Sequence, residues 1–68
     1  MTDNPVFPEI EVQLTGEDGN AFFIISRVSA ALRRHGVKPE RINTFQQEAM
    51  SGNYDNVLRT CMAWVTVH

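Results

Sequence analysis

The sequence predicts a small single α+β domain of order β-α-α-α-β, in which a two-stranded sheet packs against three helices. Three observations carry this reading. Glu9-Ile10-Glu11-Val12-Gln13-Leu14 alternates polar and apolar residues without a fault. Apolar residues then recur at helical spacing in three segments separated by breaks containing Gly36 and Gly52, and the chain closes on the β-prone run Trp64-Val65-Thr66-Val67-His68. A two-stranded sheet is marginal alone, so the strands are expected to pair with each other and lie on the helices, in parallel or antiparallel sense.

Residues 1–8, with Pro5 and Pro8, read as a flexible N-terminal arm whose apolar anchors are Val6 and Phe7, and residues 9–68 as the single domain. Residues 9–14 form a half-buried strand, with Ile10, Val12 and Leu14 inward and Glu9, Glu11 and Gln13 outward. Asn20 suits an N-cap, and a turn of 100° per residue then places Ala21, Ile24, Ile25, Val28, Ala31, Leu32 and His35 on one face. Gly36 fits the left-handed position after a helix, with Val37 packing back. Pro39 opens a second helix with Ile42, Phe45 and Ala49 inward, ending near Ser51-Gly52. Asn53 caps a third, with Tyr54, Val57, Leu58 and Cys61 on its inner face.

With 68 residues the chain is near the lower size at which one core suffices, so modest stability is expected. Apolar content of 43% against 21% charged excludes a disordered chain. The lone cysteine cannot close an internal disulfide. Nothing resembles a secretory signal or a membrane span, so a cytoplasmic protein without membrane attachment is expected. The net charge of −2 hides an uneven layout: residues 1–19 hold five acids and no base, while residues 20–41 hold five bases against Glu40.

Leu14-Thr-Gly-Glu-Asp-Gly-Asn20 has the strand-to-helix setting of a phosphate loop. It lacks the Gly-Lys-Ser/Thr ending and the G-x-G-x-x-G spacing, and Glu17 and Asp18 put negative charge where a phosphate would sit. Turn and cap is the reading its residues favour, and its acids are too few for a calcium loop. His35, His68 and Cys61 are not at metal-ligand spacing, so no metal or other cofactor is expected. His35 reads as a structural histidine near a helix C-terminus, and Cys61 as a small core residue. Glu9 and Glu11 point the same way, which solvated strand residues do without a catalytic role. No nucleophile stands beside a base, and a domain this small encloses little, so the expectation is no enzyme.

Arg27, Arg33, Arg34, Lys38 and Arg41 are the case for nucleic acid. Arg27 and Arg34, seven apart, share the side of the first helix away from the core, with Phe23 beside them. Against it, Arg33 and Arg34 suit the helix C-terminus anyway, the domain is acidic overall, and its helix-turn-helix look is generic. Apolar residues are also in surplus. Phe22 or Phe23 must face outward, Trp64 and Val65 cannot both point inward from a strand, and Met62 lies at a helix margin. The surplus and the open sheet edges point to a contact surface built from Phe23, Arg27, Arg34 and Trp64. Its partner would be a second copy, giving a homodimer, or another protein. The expected function is thus non-catalytic protein binding, with a nucleic-acid-binding regulator as the alternative.

With Leu14-Thr-Gly-Glu-Asp-Gly-Asn-Ala-Phe22, Ala31-Leu-Arg-Arg-His-Gly-Val37, Ser51-Gly-Asn-Tyr-Asp55 and Leu58-Arg-Thr-Cys-Met-Ala-Trp-Val65 set out, the chain resembles a group of short uncharacterised proteins from bacteria and their phages or plasmids. The resemblance covers nearly everything after the arm. It implies a bacterial or mobile-element protein of accessory or regulatory type that binds a host protein, and it supplies no catalytic residues.

Overall fold

The computed structural model describes residues 5–14 and 20–68. The order is β1 (Phe7–Val12), α1 (Ala21–Arg34), α2 (Pro39–Ala49), α3 (Tyr54–Trp64) and β2 (Val65–Val67), the α+β arrangement the sequence predicts. The two strands are parallel. Helix direction explains why. Ala21 of α1 and Tyr54 of α3 border one depression, so these helices start at the same end of the molecule. Arg41, early in α2, lies over Phe7 and Trp64 at the other end. Short links thus alternate the chain down, up and down through three helices, and an odd number of crossings returns it to the end where β1 began.

The caps act as their residue types dictate. Asn20 Oδ1 accepts from the Phe23 N–H at 3.1 Å, and Asn53 Oδ1 accepts from the Asn56 N–H at 3.1 Å. At the end of α1, Gly36 takes φ +82°. The Gly36 N–H donates to the Arg33 carbonyl and the Val37 N–H to the Leu32 carbonyl, each at 3.0 Å, the paired bonds of a Schellman closure. Pro39 opens α2 behind Lys38, which gives no side-chain cap.

The core draws on all five elements. Ile10 and Val12 come from β1; Ile24, Ile25, Val28 and Leu32 from α1; Ile42, Phe45 and Ala49 from α2; Val57, Cys61 and Trp64 from α3; and Val65 from β2. Buried Ser29, which the apolar pattern passes over, has its hydroxyl accepting from Gln46 Nε2 at 3.0 Å and so ties α1 to α2.

Several sequence expectations are corrected. His35 is exposed: it is the C-cap of α1, so the apolar stripe stops one turn earlier than its spacing suggests. Tyr54 is exposed on α3, and Thr60 and Trp64 complete the inner face instead. Trp64 belongs to α3 and not to the last strand, so it and Val65 are both buried without conflict. β1 takes in Phe7 and Pro8, assigned by composition to the arm, and the Val6 N–H already bonds the Ala63 carbonyl at 3.0 Å. The ladder is irregular between Phe7 and Glu11, where Pro8 has no N–H to give; the Thr66 hydroxyl donates to the Pro8 carbonyl at 2.8 Å instead. Residues 1–4 of the arm lie outside the described residues.

Cys61 is fully buried, and burial pushes its thiol up from about 9 to about 11. The folded chain therefore keeps a proton that the unfolded chain releases above pH 9, so this group costs stability as pH rises from about 9 to 11. The expected loss is on the order of 2 kcal/mol across that window. Urea midpoints should fall more steeply there for the wild type than for Cys61→Ala; equal slopes would remove Cys61 as the cause.

Candidate functional site

An open groove of about 450 Å3 runs between β1 and α1, lined by Glu11, Val12 and Gln13 on one wall and Phe23, Ser26, Arg27, Ala30, Ala31 and Arg34 on the other. Helical spacing explains the second wall. Phe23, Arg27, Ala30 and Arg34 fall three or four residues apart, on the side of α1 away from the core stripe. The first wall follows from strand pairing. The Val12 carbonyl accepts from the His68 N–H at 3.0 Å and the Leu14 N–H donates to the His68 carbonyl at 2.7 Å, so both point to β2. Backbone groups alternate along a strand, which turns those of Glu11 and Gln13 to the other edge.

Arg27 links the walls. Its Nε–H donates to the Gln13 carbonyl at 2.9 Å, and its guanidinium lies 5.9 Å from the Phe23 ring centroid. A planar donor of five N–H groups is thereby held in place on an exposed surface, with one N–H used by the chain itself. Phe23 is 40% exposed, and its ring is available to a partner beside that fixed charge.

Three of the four residues singled out from sequence, Phe23, Arg27 and Arg34, therefore line one groove. Trp64 does not join them. It is only 6% exposed, packs edge-on against Phe45 at 5.6 Å between centroids and beside Phe7 at 6.1 Å, and its indole N–H donates to Glu48 Oε1 at 3.0 Å. Its surroundings are those of a core anchor with a satisfied polar edge, so it offers a partner little surface.

The five bases also separate. Arg27 and Arg34 stand in the groove, Arg33 borders a different depression with Pro39 and Ile42, Lys38 is the exposed N-cap of α2, and Arg41 is stacked 5.3 Å from the Phe7 centroid and 5.5 Å from that of Trp64. The glycine loop weighed for phosphate lies, at residues 15–19, outside the described residues. Among the described residues no three His, Cys, Asp or Glu side chains gather as metal ligands, and no helix is long and apolar enough to cross a membrane.

A second surface is absent from the sequence reading. Phe22, Met50 and Tyr54, exposed at 70%, 54% and 42%, rim an apolar depression where the start of α1 meets the end of α2 and the start of α3. Met50 lies just past the end of α2, and Tyr54 is exposed although helical spacing puts it on the inner face of α3, so periodicity does not gather this patch.

Comparison with protein-family models, with curated proteins and with solved structures returned no match.

Proposed function

We propose that this domain is a non-catalytic protein-binding module, an accessory or regulatory protein of the cytoplasm, whose binding face is the groove between β1 and α1. The observation that supports it is the convergence of an exposed aromatic ring, two arginines and the outer backbone edge of a strand on one open surface. Such a surface offers what protein interfaces favour: an aromatic and arginine pair for affinity, and edge carbonyls and amides for orientation. A binding role is favoured over catalysis because the fixed Arg27 is committed to a backbone carbonyl and the buried Cys61 thiol is held protonated.

The test is affinity capture with tagged wild type and with Phe23→Ala/Arg27→Glu. Both side chains are exposed, so helical circular dichroism should be unchanged while the captured protein is lost. Undiminished capture by the folded variant would remove the groove as the binding face. The Phe23 and Arg27 pair is also a shape on which a nucleobase stacks, and that alternative is read in the same experiment. Bound material that disappears with nuclease, and whose affinity falls steeply with salt, would replace the protein partner by nucleic acid.

A further inference from the structure

We infer that the occupant of this groove is an extended acidic segment of a partner protein, which adds to the outer edge of β1 as a third strand and sets its carboxylates against Arg27 and Arg34. This rests on the protein-binding reading above and adds the chemistry of the partner.

The backbone of β1 calls for an extended chain. β1 has one strand neighbour, β2, so among the described residues its other edge carries no ladder. The groups turned to that edge are the N–H and carbonyl of Glu11 and of Gln13. One of these four is used by the described residues, the Gln13 carbonyl, which accepts from Arg27 Nε–H. The Glu11 N–H, the Glu11 carbonyl and the Gln13 N–H are left, donors and an acceptor in turn along the groove. An added strand brings the complementary sequence of groups and can match all three. A helix spends its own backbone groups internally, and the phosphates of a nucleic acid only accept, which leaves the Glu11 carbonyl without a donor.

The charge in the groove calls for acids on that chain. Its charged lining residues are Glu11, Arg27 and Arg34. The Glu11 carboxylate is turned away, with Oε1 3.5 Å from His68 Nε2 on the β2 side. Two guanidiniums remain, and among the described residues no carboxylate pairs with either. Arg27 is held through its Nε–H, which leaves its other N–H groups for an incoming carboxylate. Acids at alternate positions of a strand share one face and stand about 7 Å apart. Arg27 and Arg34 lie about 10 Å apart along α1, a difference their long side chains cover. Ser26 and Ala30 between them are small, so the strand can come close, and Phe23 gains cover. A basic segment would meet both arginines as like charges.

The experiment is fluorescence anisotropy at low salt with a labelled short peptide of alternating glutamate and threonine. Wild type should bind it, and should bind the version with lysine in place of glutamate at least about tenfold more weakly. Arg34→Glu, at an exposed position, should weaken the glutamate peptide by about tenfold or more and move the preference toward the lysine peptide, a gain that also shows the variant is folded. Methylating every second amide nitrogen of the peptide should abolish binding in one phase and spare it in the other, because a strand offers only alternate N–H groups to the edge it joins. The Glu11 and Gln13 amides should exchange with solvent more slowly once peptide is bound. No binding at millimolar peptide, equal binding of the lysine version, indifference to the phase of methylation, or preference for single-stranded oligothymidylate would each overturn the inference. If the peptide fails while Phe23→Ala/Arg27→Glu still loses a captured protein, the acidic strand is wrong and the binding reading stands; if that capture is also unaffected, both fall.

Discussion

Phe45→Ala is expected to leave most of the chain unfolded at 25 °C. Phe45 is fully buried in α2, and its ring meets Trp64 edge-on at 5.6 Å. Truncating a buried phenylalanine costs about 3–5 kcal/mol from lost transfer energy and the cavity left behind, and the aromatic pair adds about 0.5–1.5 kcal/mol. A chain of 68 residues is expected to hold about 3–10 kcal/mol in all. The loss is therefore of the same size as the total. The site has little room to relax, because Trp64 is held by Phe7 on another side and by its indole bond to Glu48. Urea titration followed by far-ultraviolet circular dichroism checks this; a variant with the wild-type midpoint would show that Phe45 is not central to the core.

The second large effect concerns a place with no loop. α3 ends at Trp64 and β2 begins at Val65, and both side chains are buried. One glycine inserted between them forces a choice. If β2 keeps its register with β1, α3 must turn by about 100° and expose Cys61 or Trp64. If α3 keeps its place, every side chain of β2 changes face and Val65 leaves the core. Either way the cooperative thermal transition should be lost. The same insertion between Gly52 and Asn53, in an exposed link, should leave a cooperative transition at somewhat lower temperature. Retention of the wild-type melting temperature by the Trp64–Val65 insertion would show that the junction has slack that its geometry denies.

The same junction shows where the sequence could and could not be read. Ile10 and Val12, Ile24, Ile25, Val28 and Leu32 of α1, and Ile42, Phe45 and Ala49 follow from periodicity alone and are buried, with Ala21 and Ala31 partly so. The caps Asn20, Gly36 and Asn53 are equally legible, because their residue types carry a local conformation. Trp64 resembled a strand residue because aromatic and β-branched residues run together there, and local composition does not mark a helix that turns into a strand without a loop. By composition Phe7 and Pro8 read as part of an arm; the Thr66 hydroxyl that serves the Pro8 carbonyl is 58 residues away in sequence. Parallel pairing was legible in principle from the odd number of helices, given that short links reverse direction each time.

The groove was half legible. Phe23, Arg27 and Arg34 are spaced on one side of a helix, so their grouping can be read from numbers. The wall they face cannot, because the Arg27–Gln13 bond spans the link and depends on how α1 settles against β1. Apolar surplus groups Trp64 with them, but it counts residues and is blind to the pocket that Phe7, Phe45 and Arg41 make for that ring.

The parallel pairing of β1 and β2 also decides how the domain meets a mechanical load. Phe7 sits opposite Val65 at one end of the ladder, and Val12 opposite Val67 at the other. Tension applied through the start of β1 and the end of β2 therefore slides the strands lengthwise past each other, straining the bonds between them together. Tension through Val12 and Val67 would peel the same bonds one after another. A chain tugged along its own contour meets the first geometry, so the short sheet works as a lap joint and not as a zip.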